Sequence, residues 1–386
     1  MKLVVLLSRV PYPLEKGDKL RAFNQLKILS EQHEIYLFAL NDTVLHKDAL
    51  RVLSSFCREV RIFNLPKLGI WQNVMRFFFS DKPLQCGYFY HPKAQKEVDR
   101  WIAEIEPDHI YAQLIRTAEY VKNQPIAKTL DYQDVFSKGM LRLMERASLP
   151  KRWLYALEHK RLMKYERTVF PYFTHKTIIT GVDRDLILHP QSEEIVVVPN
   201  GVDFELFHPM ECEKEYDLIF TGNMSYLPNV YAAEYIVNMI LPRLLPSHPN
   251  IRIALCGANP SSRVKQLQNK NVAVTGWVST IQEYYAKSLI FIAPMELGTG
   301  LQNKLLEAMA MKIPCITSPL ASMPLSAVNQ QDIIICSSTS EYVHAIETLL
   351  SQPNQYESIA ENGYKFVREN YNWEHTTQIL NELVCG

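Results

Sequence analysis

Short apolar runs and helical patterns take turns along this chain. In the first half, apolar runs predict strands over 3–7, 35–40, 60–63, 109–112, 129–131, 177–180 and 195–198. Between them apolar positions recur at helical spacing, as over 19–30, 94–104 and 153–170. The second half repeats the scheme, with strands expected over 217–221, 252–256, 272–275, 289–293, 315–317 and 332–336. Alternation of this kind implies parallel sheets covered by helices on both faces. Because it occurs twice, the expected fold class is α/β with two Rossmann-like domains. The boundary falls in VVVPNGVDFELFHP, where a strand ends at Pro199 and Asn200-Gly201 supplies a turn. The first domain is then 1–205 and the second 206–370. The tail 371–386 reads as a helix over 372–383 and carries Trp373, a costly side chain to leave in water. It is expected to cross back and dock on the first domain.

The bulk numbers agree with a soluble two-domain protein. The chain has 386 residues, too many for one ordinary core. Lys plus Arg number 41 and Asp plus Glu 41, so no global charge favours nucleic acid. The opening MKLVVLLSRV has an apolar core too short for a signal peptide and reads as the first strand. No run approaches the ~18 apolar residues of a membrane span. The seven cysteines are scattered without Cys-x-x-Cys or Cys/His spacing. They read as reduced thiols of a cytoplasmic protein with no metal centre.

Candidate chemistry gathers at strand ends. Ligands of open parallel sheets bind beyond the carboxyl ends of the strands, and Gly222, Gly257, Gly276, Gly298 and Gly300 all fall there in the second half. The densest stretch is FIAPMELGTGLQNKLLEAMAMKIPCIT, residues 291–317: strand, glycine loop, a helix over 302–311, strand. The helix opens on Lys304, the wrong end for a cation because the N-terminus already carries partial positive charge. An anion would make sense of it, since free N–H groups, close-approach glycines and a lysine form a phosphate cradle. Glu307 lies one turn on, on the face of Asn303 and Lys304, where it could meet a sugar hydroxyl. The plainer alternative is a Lys304–Glu307 surface pair, worth a few tenths of a kcal/mol. In the first half, Gly17 and Arg21 begin a helix after strand one. Asp131 and Asp134 end the strand of TLDYQDVFS. Asp131 is expected to hold or polarise an acceptor hydroxyl. Asp134 could do the same or cap the following helix. Residues 138–167 hold nine Lys/Arg against three Glu. With WQNVMRFFF at 71–79, they could meet an anionic membrane or a lipid-diphosphate acceptor, or form a plain solvated helix.

The ordered strings PNGVD, FTGNMSYLPN, CGANP, VTGWVS and P-x-x-x-G-T-G-L-Q-N-K-L-L-E-A-M-A resemble the GT-B glycosyltransferases of family 4 (glycosyl transferases group 1). The resemblance is nearest the subgroup of bacterial exopolysaccharide clusters. It covers nearly the whole chain and is strongest over 197–317. It implies two Rossmann-like domains facing a central cleft, with the acceptor on the first and a nucleotide-sugar donor on the second. It also implies retention of anomeric configuration, no metal and no cofactor beyond the donor. Glu307 matches the glutamate that holds the donor ribose. Gly298, Gly300 and Lys304 match the loop and helix start that receive the diphosphate. Gly17 matches the loop that closes over the donor, and Val278 lies in the loop that meets the base. Gly222, Asn223 and Gly257 belong to the donor side, and Arg21, Gln113 and Asp134 to the acceptor side. Lys304, Glu307 and Asp131 are the catalytic candidates.

The departures fall on charged positions. The first glutamate of the family motif is replaced by Thr299, with Glu296 three residues out of register. The usual arginine and lysine after the first strand of the second domain would fall near Asn223 and 228–229, where neither charge stands. The usual histidine of the first domain would fall near Gln113. Thr299 and Asn303 remain able to bond sugar hydroxyls. These gaps keep two alternatives open, a GT-B sugar-nucleotide epimerase or hydrolase and a non-catalytic GT-B partner. A dehydrogenase is disfavoured because the glycine loop lacks its third glycine. The sequence names no base, sugar or acceptor.

Overall fold

The computed structural model describes residues 1–297 and 300–386. The expectations placed on Gly298 and Thr299 therefore lie outside the described residues. The chain divides into two compact units, Met1–Pro199 with Thr376–Gly386, and Asn200–His375. The division falls a few residues earlier than the sequence pattern suggests. The reason is local: the Val202 N–H donates to the Tyr371 carbonyl (2.7 Å) and Val202 bridges Asn372. The turn at Asn200-Gly201 is thus tied to the second unit.

The first unit is built on seven strands: β1 (Lys2–Leu7), β2 (Glu34–Asn41), β3 (Glu59–Asn64), β4 (His109–Gln113), β5 (Lys128–Asp131), β6 (His175–Ile178) and β7 (Val196–Val197). Their order is β3-β2-β1-β4-β5-β6-β7, and every pair is parallel. The central strands are continuous apolar runs because helices cover both faces. Alternate residues of β1 feed two cores, Val4 and Leu6 on one face and Leu3, Val5 and Leu7 on the other. β3 lies at the edge and is only half-buried.

The second unit holds β8 (Tyr216–Thr221), β9 (Ile253–Cys256), β10 (Val272–Gly276), β11 (Ser288–Ala293), β12 (Cys315–Thr317) and β13 (Ile334–Ile335). Their order is β10-β9-β8-β11-β12-β13, again all parallel. In both sheets the strand order reverses at the centre, between β1 and β4 and between β8 and β11. Crevices for ligands open at such reversals, beyond the carboxyl ends of the strands.

The last helix, Trp373–Cys385, has residues in both units. Trp373 is buried, and a Cβ on Gly201 would lie 2.5 Å from its backbone nitrogen, so only glycine fits there. Leu380 and Val384 join the core of the first unit. Asn381 donates to Gln32 (3.0 Å) and lies 2.6 Å from the His33 ring. The helix Lys67–Phe78 is among the elements that went unforeseen. Its large apolar side chains stand mostly on the solvent side, so the pattern does not single out an inward face.

Candidate functional site

The site begins where β8 ends. Thr221 is followed by Gly222 at φ +149°, whose N–H donates to the Cys256 carbonyl (3.0 Å). A Cβ on Gly222 would lie 2.6 Å from Asn229 Nδ2 and 3.2 Å from Lys304 Nζ. Glycine is required here because two polar side chains pass over the backbone. Gly257, at φ +147°, ends β9 in the same way, and a Cβ there would run into the Gly222 carbonyl oxygen. The glycines of these two loops thus let adjacent strand ends pack closely. Gly276 has open space around it. Asn223 closes its own turn, its Oδ1 accepting from the Ser225 N–H (3.0 Å) and hydroxyl (2.8 Å). Val278 follows β10 and is half-buried beside exposed Trp277.

Lys304 stands in the first turn of the helix Asn303–Ala310. Its ammonium donates to Asn229 Oδ1 at 2.6 Å and sits 4.7 Å above the Phe220 ring. Asn229 is fixed in turn, its Nδ2 donating to the Asn223 carbonyl (3.0 Å). No carboxylate within ion-pair distance neutralises Lys304 among the described residues. Burial pulls its ammonium down to about 7, opposed only in part by the charge of Glu307. Glu307 Oε2 accepts from the Tyr285 hydroxyl at 3.0 Å, and that phenol also meets Thr221 Oγ1 (2.7 Å) and the Lys304 carbonyl (3.3 Å). Burial raises the Glu307 carboxyl, against the Tyr285 hydrogen bond and Lys304. Asn303 Oδ1 accepts from Asn200 (3.2 Å). The structure thus disfavours the plain surface-pair alternative. Lys304 turns to a neutral amide and Glu307 to a buried phenol, leaving a cation without its own counterion at a helix start. Such an arrangement can receive an anion and, one turn on, a hydroxyl.

Sequence reasoning missed Phe220, Thr221, Tyr285 and Asn229 as the groups that hold this pair. Asn229 carried a signal, because it lies where a family charge is absent. Tyr285 carried none, since a buried phenol in an apolar helix looks like core. Of the remaining donor-side residues, Gly300 is half-buried and Glu296 exposed.

In the first unit Gly17 starts the helix Gly17–Leu29, exposed and with open space around it. The expectation for Asp131 is corrected. Neither it nor Arg21 exposes any side-chain surface, and they form an ion pair at 2.7 Å. Asp131 also accepts from Tyr111 (2.8 Å), Thr177 (3.0 Å) and the Gln133 N–H (3.3 Å). A carboxylate so enclosed and so fully bonded cannot hold an acceptor hydroxyl. Arg21 is corrected with it, as its guanidinium serves Asp131 and the Pro199 carbonyl (3.3 Å). Gln113 is buried and reaches the Asp18 carbonyl at 3.4 Å. Asp134 is exposed and accepts from the Val135 N–H (2.7 Å). It sits one residue before the N-cap of the helix Phe136–Arg146 and so does not cap it. A cavity of about 570 Å³ opens at the carboxyl ends of β1 and β2, lined by Arg9, Lys16, Lys19, Asp42 and His46 among others. Among the described residues no cluster of His, Cys, Asp and Glu could hold a metal ion, and no helix is long and apolar enough to cross a membrane.

Residues 215–352 match the family model "Glycosyl transferases group 1". Over 96% of its length and 96% of the relative's, the chain is 21% identical to an "Uncharacterized 44.6 kDa protein in cps region" of Klebsiella pneumoniae. Among solved structures, Anabaena Alr3699/HepE in complex with UDP superposes at TM-score 0.71 with 14% identity, covering 100% of both chains. Sucrose-phosphate synthase from Thermosynechococcus elongatus does so at 0.70 with 13% identity, covering 99% of this chain and 98% of that one. At such identities the likeness shows the fold, and the fold is that of the GT-B glycosyltransferases.

Proposed function

We propose that this chain, which matches the family model of glycosyl transferases group 1 over residues 215–352, is a nucleotide-sugar-dependent glycosyltransferase that transfers its sugar with retention of configuration to a glycan or lipid-linked acceptor in cell-surface polysaccharide assembly. The observation that carries this reading is Lys304, a half-buried cation at a helix start with a neutral amide for its partner. In the reaction the anomeric C–O bond to the diphosphate breaks while a bond from the acceptor oxygen forms on the same face of the sugar. The acceptor proton passes to an oxygen of the departing diphosphate, so no enzyme base and no metal is written into the step. Negative charge grows on that diphosphate, and Lys304 with the helix start stabilises it. Glu307, steadied by Tyr285, accepts hydroxyls of the donor ribose. The enclosure of Asp131 favours a step that needs no carboxylate base. The acceptor docks on the first unit, where the basic cavity beyond β1 and β2 offers space for it. The relative in a cps region supports the polysaccharide role, and the basic segment 138–167 with the aromatic stretch 71–79 is the reason for placing the protein at the inner face of the membrane. Titration with UDP, GDP, dTDP and ADP by calorimetry tests the donor side. UDP, which HepE binds, is the first probe. Binding of one of them that is lost in Lys304→Met is expected, and equal binding by both proteins would place the phosphate elsewhere.

A further inference from the structure

The helix Lys67–Phe78 is built inside out. Its inward face presents Gly69, Asn73 and Phe77, with Asn73 donating to the Tyr90 carbonyl (2.7 Å). Its outward face presents Leu68, Trp71 and Met75, continued by Phe79, at i, i+3, i+7 and i+11 on one stripe. Leu68 is 72% exposed, Trp71 68% and Phe79 80%. A second apolar group stands beside it at the start of the helix Leu149–Val169, with Leu149 82% exposed and Trp153 61%. The two groups are joined: the Phe78 and Trp153 rings lie 6.3 Å apart. Arg161 ties the helices by donating to the Phe77 (3.2 Å) and Phe78 (2.8 Å) carbonyls. Exposed Lys67, Arg76, Lys151, Arg152 and Lys160 fringe the patch, and none has an ion-pair partner among the described residues. Lys164 alone of the fringe pairs, with Asp81 (2.7 Å).

We infer that this composite face is the surface by which the protein lies on an anionic lipid bilayer, the stripe entering the acyl boundary and the basic fringe meeting the head groups. Charge selects this occupant. The chain as a whole is neutral, yet here unpaired cations gather around the apolar patch. Tryptophan beside a basic fringe suits an interface that is apolar below and anionic above. A second copy of the chain in a two-fold dimer would set this positive fringe against itself. The inference narrows the broad basic segment 138–167. Glu158, Leu162, Tyr165 and Glu166 of it are buried, and Arg161 serves the packing of the two helices. The membrane face is therefore the outer stripe of 68–79 with the start of the second helix.

The inference rests on the membrane-face reading given above but is tested without donor or acceptor, so its failure would leave sugar transfer standing. Full-length protein is mixed with phosphatidylcholine vesicles with and without phosphatidylglycerol, and bound protein is measured by flotation. Binding is expected only with the anionic lipid, falling as salt is added. K151Q/R152Q is expected to weaken it roughly 20-fold, as each basic residue near a charged surface counts. W71S/F79S is expected to weaken it by more than about tenfold, while W71F/F79W retains it. Because these side chains are exposed, all three variants should melt with the wild type. Equal binding to both vesicle types would overturn the inference, as would unchanged binding by W71S/F79S. So would a dimer, seen by light scattering, that W71S/F79S abolishes without any vesicle binding, since a second copy would then cover the patch.

Discussion

Two cations, one in each unit, stand early in helices that follow a central strand at a reversal of strand order, Arg21 buried and Lys304 half-buried. Arg21 belongs to the helix after β1, and Lys304 to the helix after β11. Their surroundings differ in one respect. Arg21 meets a carboxylate, Asp131, inside a closed set of hydrogen bonds. Burial alone would lower it, but Asp131 and Tyr111 more than offset that, and its pKa rises. Lys304 meets a neutral amide, and burial prevails, bringing it down to about 7. A cation already neutralised by its own fold has nothing left for a ligand. One held by dipoles alone costs desolvation energy that an anion can return. On the proposed reading the first is architecture and the second a site, though both are basic residues of comparable placement.

The comparison predicts opposite consequences when each pair is broken. Asp131→Ala leaves Arg21 buried without its counterion and should cost about 3–5 kcal/mol of stability, measured by urea denaturation with a fixed m-value. Nucleotide affinity of the surviving folded fraction should not change. If Asp131→Ala folds with wild-type stability yet loses transfer, Asp131 is a site residue after all and the contrast collapses.

Lys304→Met is the mirror image. It removes an unneutralised charge, so the protein should melt no lower than the wild type. Turnover should fall by ~2.7–4 kcal/mol, the loss expected for one strong donor to a developing anion. The fall should show in kcat more than in KM, because phosphate charge grows in the transition state. Lys304→Arg should restore only part, as a planar fork replaces a point charge. A melt several degrees lower with unchanged turnover would make Lys304 structural, like Arg21.

Glu307→Ala sharpens the second unit's half of the contrast. Losing charged hydrogen bonds to ribose hydroxyls should weaken nucleoside diphosphate binding by about 1.5–3 kcal/mol, read by calorimetry. Equal affinities would leave Glu307 as no more than a partner for Tyr285.

The strand pattern was legible along almost the whole chain, because interior parallel strands are continuous apolar runs. The edge strands β7 and β13 were legible in place but came out shorter, whereas the edge strands β3 and β10 came out longer. The placement of Lys304 in a helix's first turn, with Glu307 one turn on, was legible because the strand, glycine loop and helix follow one another along the chain. Asp131 and Arg21 misled, since a charged residue at a strand end reads the same whether it faces solvent or a buried partner 110 positions away in the chain. Tyr285 and Asn229 were hidden for a related reason. Their role is to aim another side chain, and that depends on distances between elements that no local pattern encodes.

The smallest effect is the most specific to the comparison. In the ligand-free protein burial pulls the Lys304 ammonium down to about 7, and a bound diphosphate would raise its pKa by supplying the missing counterion. The cationic form is the one that binds, so binding draws a proton from solution. Affinity should therefore be full below about 7 and fall as pH rises through that value, flattening only once pH passes the raised pKa of the complex. The slope should approach tenfold per pH unit, about 1.4 kcal/mol. Calorimetry of the nucleoside diphosphate in buffers of different ionisation enthalpy counts the proton directly. Approaching one proton should be taken up above pH 7 and almost none at pH 6. Titration of the diphosphate itself contributes with the opposite sign at low pH, so Lys304→Arg is the control, since arginine stays charged throughout. It should bind with little proton uptake and with the pH slope removed. If wild type and Lys304→Arg share one pH profile, Lys304 is already fully charged in the free protein. It would then have a counterion as Arg21 does, and the difference between the two cations would vanish.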